Sequence, residues 1–142
     1  MQISTRTEYA LRALLEMIKV ESNPISAREI CERQKLPKKY IERLLGNLKA
    51  AGLVESVSGA KGGYVLSRNP ETINLLQVMQ AVEDRSWEIS CVSNPPEHCA
   101  GGECGLHLVW DEVFQNVKGI LSGYSLERID EMMEDSDKPE YR

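Results

Sequence analysis

The chain has 142 residues, 42% of them hydrophobic, and a formal net charge of −5. That length points to one domain with an appended helix, and no apolar run approaches the ~18 residues that a membrane-spanning helix needs. The opening MQISTRTEYALRALLEM has no apolar h-region and no small-residue cleavage site, so no signal peptide is expected, and a cytoplasmic protein with reduced thiols is.

Charge is uneven along the chain. Residues 1–70 carry 12 Lys and Arg against 7 Asp and Glu, whereas residues 71–142 carry 5 against 15. A basic front half can meet phosphate on an acidic protein, because the local field matters more than the total. A solvated charged surface would give the same count.

Thr5 and Glu8 match a T-x-x-E capping box before an apolar stripe at Leu11, Leu14, Leu15 and Ile18. This predicts a first helix over roughly residues 5–20, ended by Asn23 and Pro24. Ser26 and Glu29 form a second box, opening a short helix to about Arg33, with the turn at Lys35 and Leu36. Pro37 suits the first position of a third helix, which runs to about Ala51 and stops at Gly52. In that third helix Ile41, Leu44, Leu45 and Leu48 share a face. Lys38, Lys39, Glu42, Arg43 and Asn47 are left toward solvent or a groove. A short helix, a tight turn and a longer basic helix make a helix-turn-helix pattern.

Next come LVESV, SGAKGG and YVLSR, which read as strand, Gly-rich turn and strand, with Lys61 near the tip. A hairpin directly after the third helix is the wing of a winged helix. A phosphate-cradling loop is the rival reading of the glycines, but there is no G-K-[ST]. A turn at Asn69–Thr72 leads to a helix at about residues 75–84, and RSWEIS then reads as extended. The strongest helical repeat follows at about residues 105–121. Leu106, Val109, Trp110, Val113, Val117, Ile120 and Leu121 recur at helical spacing, either as core or as a seam against a second copy. Ser125 can cap a last helix of about two turns, before an acidic tail.

Between the extended segment and the long helix lies CVSNPPEHCAGGECGLH, with the spacing C-x7-C-x4-C-x2-H. Pro95, Pro96, Gly101 and Gly102 make it a loop. Cys91, Cys99, Cys104 and His107 are soft donors suited to an iron–sulphur cluster. A zinc knuckle or a metal-free thiol sensor would use the same residues. Cys104 stands at a helix N-terminus, where free N–H groups favour thiolate, and His107 is one turn on. His98 reads as a solvated loop residue and Trp87 as a cover for the site. Cys31, sixty residues from the others, reads as a small buried hydrophobe.

The opening STRTEYALRALLEM, the run PKKYIERLLGNLKAAGLVESVSGAKGGYVLSR and the C-x7-C-x4-C-x2-H loop before a Trp-containing helix resemble the IscR/NsrR-type family of winged-helix transcription regulators. The resemblance covers the chain to about residue 130, and C-x2-H resembles the IscR branch. It implies a homodimer on imperfectly palindromic double-stranded DNA, with an iron–sulphur cluster as sensor. The cluster is 2Fe–2S in the IscR branch and 4Fe–4S in the NsrR branch. It maps the ligands to Cys91, Cys99, Cys104 and His107, with Glu8 as the alternative fourth ligand, and recognition-helix contacts to Lys39, Glu42 and Arg43. A wing position often held by Arg is Ser58 here, and Lys61 is the substitute cation.

The resulting expectation is a mainly α protein with a small β-hairpin. A winged helix-turn-helix domain spans 1–84, and an extended segment with the cluster-binding loop spans 85–104. The dimerisation helix and a short last helix span 105–133, and a flexible acidic tail spans 134–142. The function expected is cluster-controlled, DNA-binding transcription regulation, with 2Fe–2S favoured, no membrane and no enzymatic activity. A cluster-free or zinc-binding regulator of the same fold and an iron–sulphur carrier are the alternatives.

Overall fold

The computed structural model describes residues 3–84 and 104–136. The extended reading of residues 85–90, Trp87, Cys91, His98, Cys99 and the end of the acidic tail lie outside the described residues. The described elements are α1 (Thr5–Lys19), α2 (Ala27–Gln34), α3 (Lys38–Ala50), β1 (Val54–Val57), β2 (Gly63–Leu66), a 3-10 turn (Pro70–Thr72), α4 (Leu75–Val82), α5 (Leu106–Ser122) and α6 (Leu126–Ser136).

α1 spans the stretch expected of it, but its cap stands one residue before the expected box. Ser4, in extended backbone, is the cap, and its hydroxyl accepts from the Thr7 N–H at 3.4 Å. The Thr5–Glu8 box is therefore not formed. Thr5 is already helical, and the Glu8 carboxylate instead faces Arg12 at 3.9 Å. The buried face is also rotated from the Leu stripe. Thr7, Ala10, Ala13, Leu14 and Met17 lie deepest, while Leu11 and Ile18 pack at the core's margin. Small alanines let α1 approach its neighbours closely, which a count of large apolar residues does not register.

The Ser26–Glu29 box forms in full, with each side chain accepting from the other residue's backbone N–H. Lys35 closes α2 in the left-handed region and Leu36 tucks into the core. Pro37 caps α3 rather than entering it, with ψ of 125°, which is extended and not helical. Gly52, with φ of +75°, ends that helix as expected. Leu14, Ile30, Ile41, Leu45, Leu48, Ile73, Val78 and Leu126 make the centre of one core, fully buried. α1, α2, α3 and α4 all contribute to it.

The strands pair antiparallel, Val54 opposite Leu66 through Val57 opposite Gly63. The hairpin is joined to the helices by two backbone hydrogen bonds. Ile25 N–H donates to the Tyr64 carbonyl at 3.1 Å, and Tyr64 N–H donates to the Ile25 carbonyl at 2.8 Å. Gly63 makes this approach possible. Its φ is +152°, and a Cβ there would stand 2.4 Å from the Ile25 carbonyl oxygen. Past the hairpin, Asn74 and Gln77 form a capping box for α4 that the sequence reading did not pick out. The C-terminal end is stitched to the same corner, because Leu75 N–H donates to Tyr124 O and Leu126 N–H to Ile73 O, each at 2.8 Å. Ser125 caps α6 as expected, accepting from the Arg128 N–H, but the helix runs 11 residues, about three turns rather than two.

α1 and α2 are locked by a polar group inside the apolar contact. Glu16 is buried, and its carboxylate accepts from Gln34 Nε2 at 2.5 Å, Lys19 Nζ at 3.3 Å and Arg33 at 3.4 Å. Gln34 in turn accepts from Arg12 through both its side chain and its backbone. Burial alone would raise the Glu16 pKa. The Gln34 hydrogen bond, the Lys19 charge and Arg33 outweigh it and hold the carboxyl below its ordinary value. A depressed folded-state pKa stabilises the fold above the unfolded pKa, and that contribution is lost as pH falls through the folded value. Glu16→Gln is expected to cost about 1–3 kcal/mol at neutral pH and to flatten the loss of stability below about pH 4.3, read by urea unfolding across pH.

Gly63→Ala must either strain the backbone or part Tyr64 from Ile25, at about 1–3 kcal/mol. Faster hydrogen exchange at the Ile25 and Tyr64 amides, with α1 protection nearly retained, is the expected signature.

Candidate nucleic-acid interface and metal-ligand positions

The exposed face of α3 carries Lys38, Lys39, Glu42 and Arg43, while its opposite face is the core. Glu42 lies one turn from Lys38, their charged atoms 3.9 Å apart. Asn47 is half-buried at the flank of that face. At the C-terminal end, Lys49 Nζ donates to Ser56 Oγ at 2.8 Å, tying α3 to β1. Ser58 and Lys61 stand exposed around the hairpin tip, whose turn is held by Gly62 N–H donating to Gly59 O. Lys39, Arg43 and Lys61 thus project from one helix face and one adjoining hairpin.

The first turn of α1 adds a cluster that local spacing could not reveal, because its partners lie 76–79 residues apart. Glu83 accepts from the hydroxyls of Ser4 and Thr7, the latter at 2.6 Å, with Thr7 fully buried. Arg6 donates to Asp84 at 2.6 Å. The Arg6 hydrogen bond and charge, with a weaker contribution from Arg43, hold the Asp84 carboxyl below the usual range. Tyr9 of α1 meets Tyr40 of α3 edge to face, with ring centroids 5.6 Å apart. Glu83 and Asp84 are therefore fastened to α1, which contacts α3.

Two of the four expected ligands are described. Cys104 is half-buried immediately before α5, and His107 sits in its first turn. The His107 Nδ1–H donates to the Cys104 carbonyl at 2.5 Å. A carbonyl can only accept, so Nδ1 holds the proton in the neutral ring and Nε2 keeps the lone pair that a metal would take. Gly105, the cap of α5, brings no side chain to the helix's first N–H groups. Among the described residues no three His, Cys, Asp or Glu side chains converge, so Glu8 is not gathered with Cys104 and His107 there. Cys31 is half-buried against the core, more open than expected. Burial first, and the Glu42 charge second, push its thiol pKa up, which favours the protonated thiol.

α5 presents much of its apolar stripe to solvent. Leu106, Val109, Trp110, Val113 and Ile120 are between 44 and 64% exposed, while Leu121 is buried. No described helix is long and apolar enough to cross a membrane.

Three helices closed by a two-stranded wing, with a basic face on the third helix, define a winged helix-turn-helix protein. The chain belongs to the Rrf2 family, iron-dependent transcriptional regulators, whose family model matches residues 3–131. Among curated proteins it is 32% identical to the HTH-type transcriptional regulator IscR of Photorhabdus laumondii over 91% of this chain and 79% of that one. It is 33% identical to IscR of Aliivibrio salmonicida, over 89% and 75%. Its fold is similar to that of T. potens IscR, with a TM-score of 0.72 and 27% identity over 97% of this chain and 92% of that one. It is also similar to CymR, the global cysteine regulator of B. subtilis, with a TM-score of 0.74 and 28% identity over 93% and 98%. These relatives are regulators, in line with the reading that the chain is not an enzyme.

Proposed function

We propose that this Rrf2-family regulator acts as a homodimer on imperfectly palindromic DNA, and that an iron–sulphur cluster sets its operator affinity or choice. The observation that carries the reading is the Cys104–His107 hydrogen bond, which leaves an imidazole Nε2 one turn from a thiol at a helix N-terminus. Thiolate and neutral imidazole are soft donors, and the open N–H groups of α5 favour an anionic group beside them. Cys91, Cys99 and Cys104 would bind through sulphur and His107 through Nε2, a donor set that favours 2Fe–2S over 4Fe–4S. When bound, the cluster supplies a centre sensitive to redox state and oxidants. Lys38, Lys39, Arg43 and Lys61 would neutralise phosphates or meet base edges, with Ser58 and Asn47 beside them and Glu42 accepting from cytosine.

A second reading has support in the likeness to CymR: a regulator of the same fold without a cluster. Iron and acid-labile sulphide measured after anaerobic purification separate the two, and about two of each per chain is expected. His107→Ala should give a labile or incomplete centre, whereas Glu8→Ala should leave its absorbance unchanged. The opposite pattern would transfer the fourth ligand to Glu8, and no iron or sulphide in the intact protein would favour the cluster-free reading.

The exposed stripe of α5 is the proposed seam between copies. Val113→Glu should turn a dimer into a monomer by sedimentation and weaken operator binding at least about tenfold, because paired half-sites need paired heads.

A further inference from the structure

α3 contains a glycine, Gly46, in its interior. Glycine is the poorest helix former after proline, so an interior glycine needs a reason. Packing among the described residues offers none, since a Cβ built on Gly46 would meet nothing within 4 Å there. Its φ is not left-handed, so the backbone does not require it either. By helical spacing Gly46 follows Glu42 by one turn, Arg43 by three residues and Lys39 by two turns, at the middle of the exposed face. The described residues supply no reason for the bare position, and its place on the exposed face directs the search to a binding partner.

We infer that Gly46 is the point of closest approach between α3 and DNA, where the helix backbone lies against base-pair edges on the major-groove floor. A methyl group there would hold the helix off by about its own radius and lengthen the contacts that Lys39, Glu42 and Arg43 make. A bare backbone also leaves room for a thymine methyl. Gly46 is therefore a positioning residue for sequence reading. The inference rests on α3 being the reading helix.

The test compares the intact protein with Gly46→Ala on two duplexes, one selected from a random-sequence pool by the wild-type protein and one unselected duplex of equal length. Gly46→Ala should raise the thermal midpoint by roughly 2–6 °C, as a helix gains its best former. It should also weaken the selected duplex at least about tenfold, while unselected DNA, held through phosphates, changes less than about twofold. Gly119→Ala controls for stiffening alone. Gly119 is also interior to a helix with open space at its Cβ, on the polar side of α5 with Glu112 and Gln115. That variant should gain stability and keep both affinities. If Gly46→Ala binds the selected duplex like wild type while Arg43→Ala weakens it, the inference about Gly46 is overturned and the reading helix stands. If neither matters, or the wild type selects no sequence, the reading helix itself is wrong. A fall in thermal midpoint for Gly46→Ala would show that the site is packed after all and would also overturn the inference.

Discussion

The reciprocal hydrogen bonds between Ile25 and Tyr64 set the relation between the two parts of the winged unit. Without them the hairpin is a two-stranded ribbon, which is marginal in water. With them it becomes an extension of the turn between α1 and α2, with a place relative to α3. That place is confirmed from the other side by Lys49 reaching Ser56 and by Ser67 donating to the Gly52 carbonyl. The basic tip and the basic helix face are thus parts of one rigid surface. Such a surface binds without first having to be ordered.

Much of this was legible in the amino-acid sequence, because the deciding signals were local. Ser26 and Glu29, Lys35, Pro37 and Gly52 mark helix ends through chemistry that acts within a few residues. The succession LVESV, SGAKGG and YVLSR marked the wing in the same way, and the strands pair as read. Where two local signals competed, the reading erred. Ser4 and Thr5 are both plausible caps, and backbone geometry chose Ser4, whose hydroxyl is also bonded to Glu83. Nothing near Ser4 in the chain announces Glu83. The same holds for the Glu16–Gln34–Arg12 network and for the clasp between Asn74 and Ser125, which depend on the fold already being made.

The candidate site divides along the same line. Spacing alone singled out Cys104 and His107, and the structure adds which ring nitrogen is left available. Spacing also picked out the apolar stripe of α5. It could not say which of its residues the chain covers for itself. Leu121 is buried, whereas Val109, Trp110 and Val113 stay about half exposed. An apolar surface of this kind on an otherwise charged protein marks a place of contact.

α5 is fixed unequally along its length. The turn that follows it is tied to the winged unit by the backbone bonds at Tyr124 and Leu126, whereas its other end carries the His107 imidazole, with the Cys104 thiol just before it. A helix of 17 residues is about 25 Å long, so displacing its first turn by one ångström swings it through only about 2°. Across the symmetric pair proposed above, such a swing would be doubled and carried out to heads that would have to meet grooves one helical turn apart. In that proposed pair a change too small to disturb the core would be enough to alter the fit to DNA, making α5 the lever between the proposed ligand end and the DNA-facing heads.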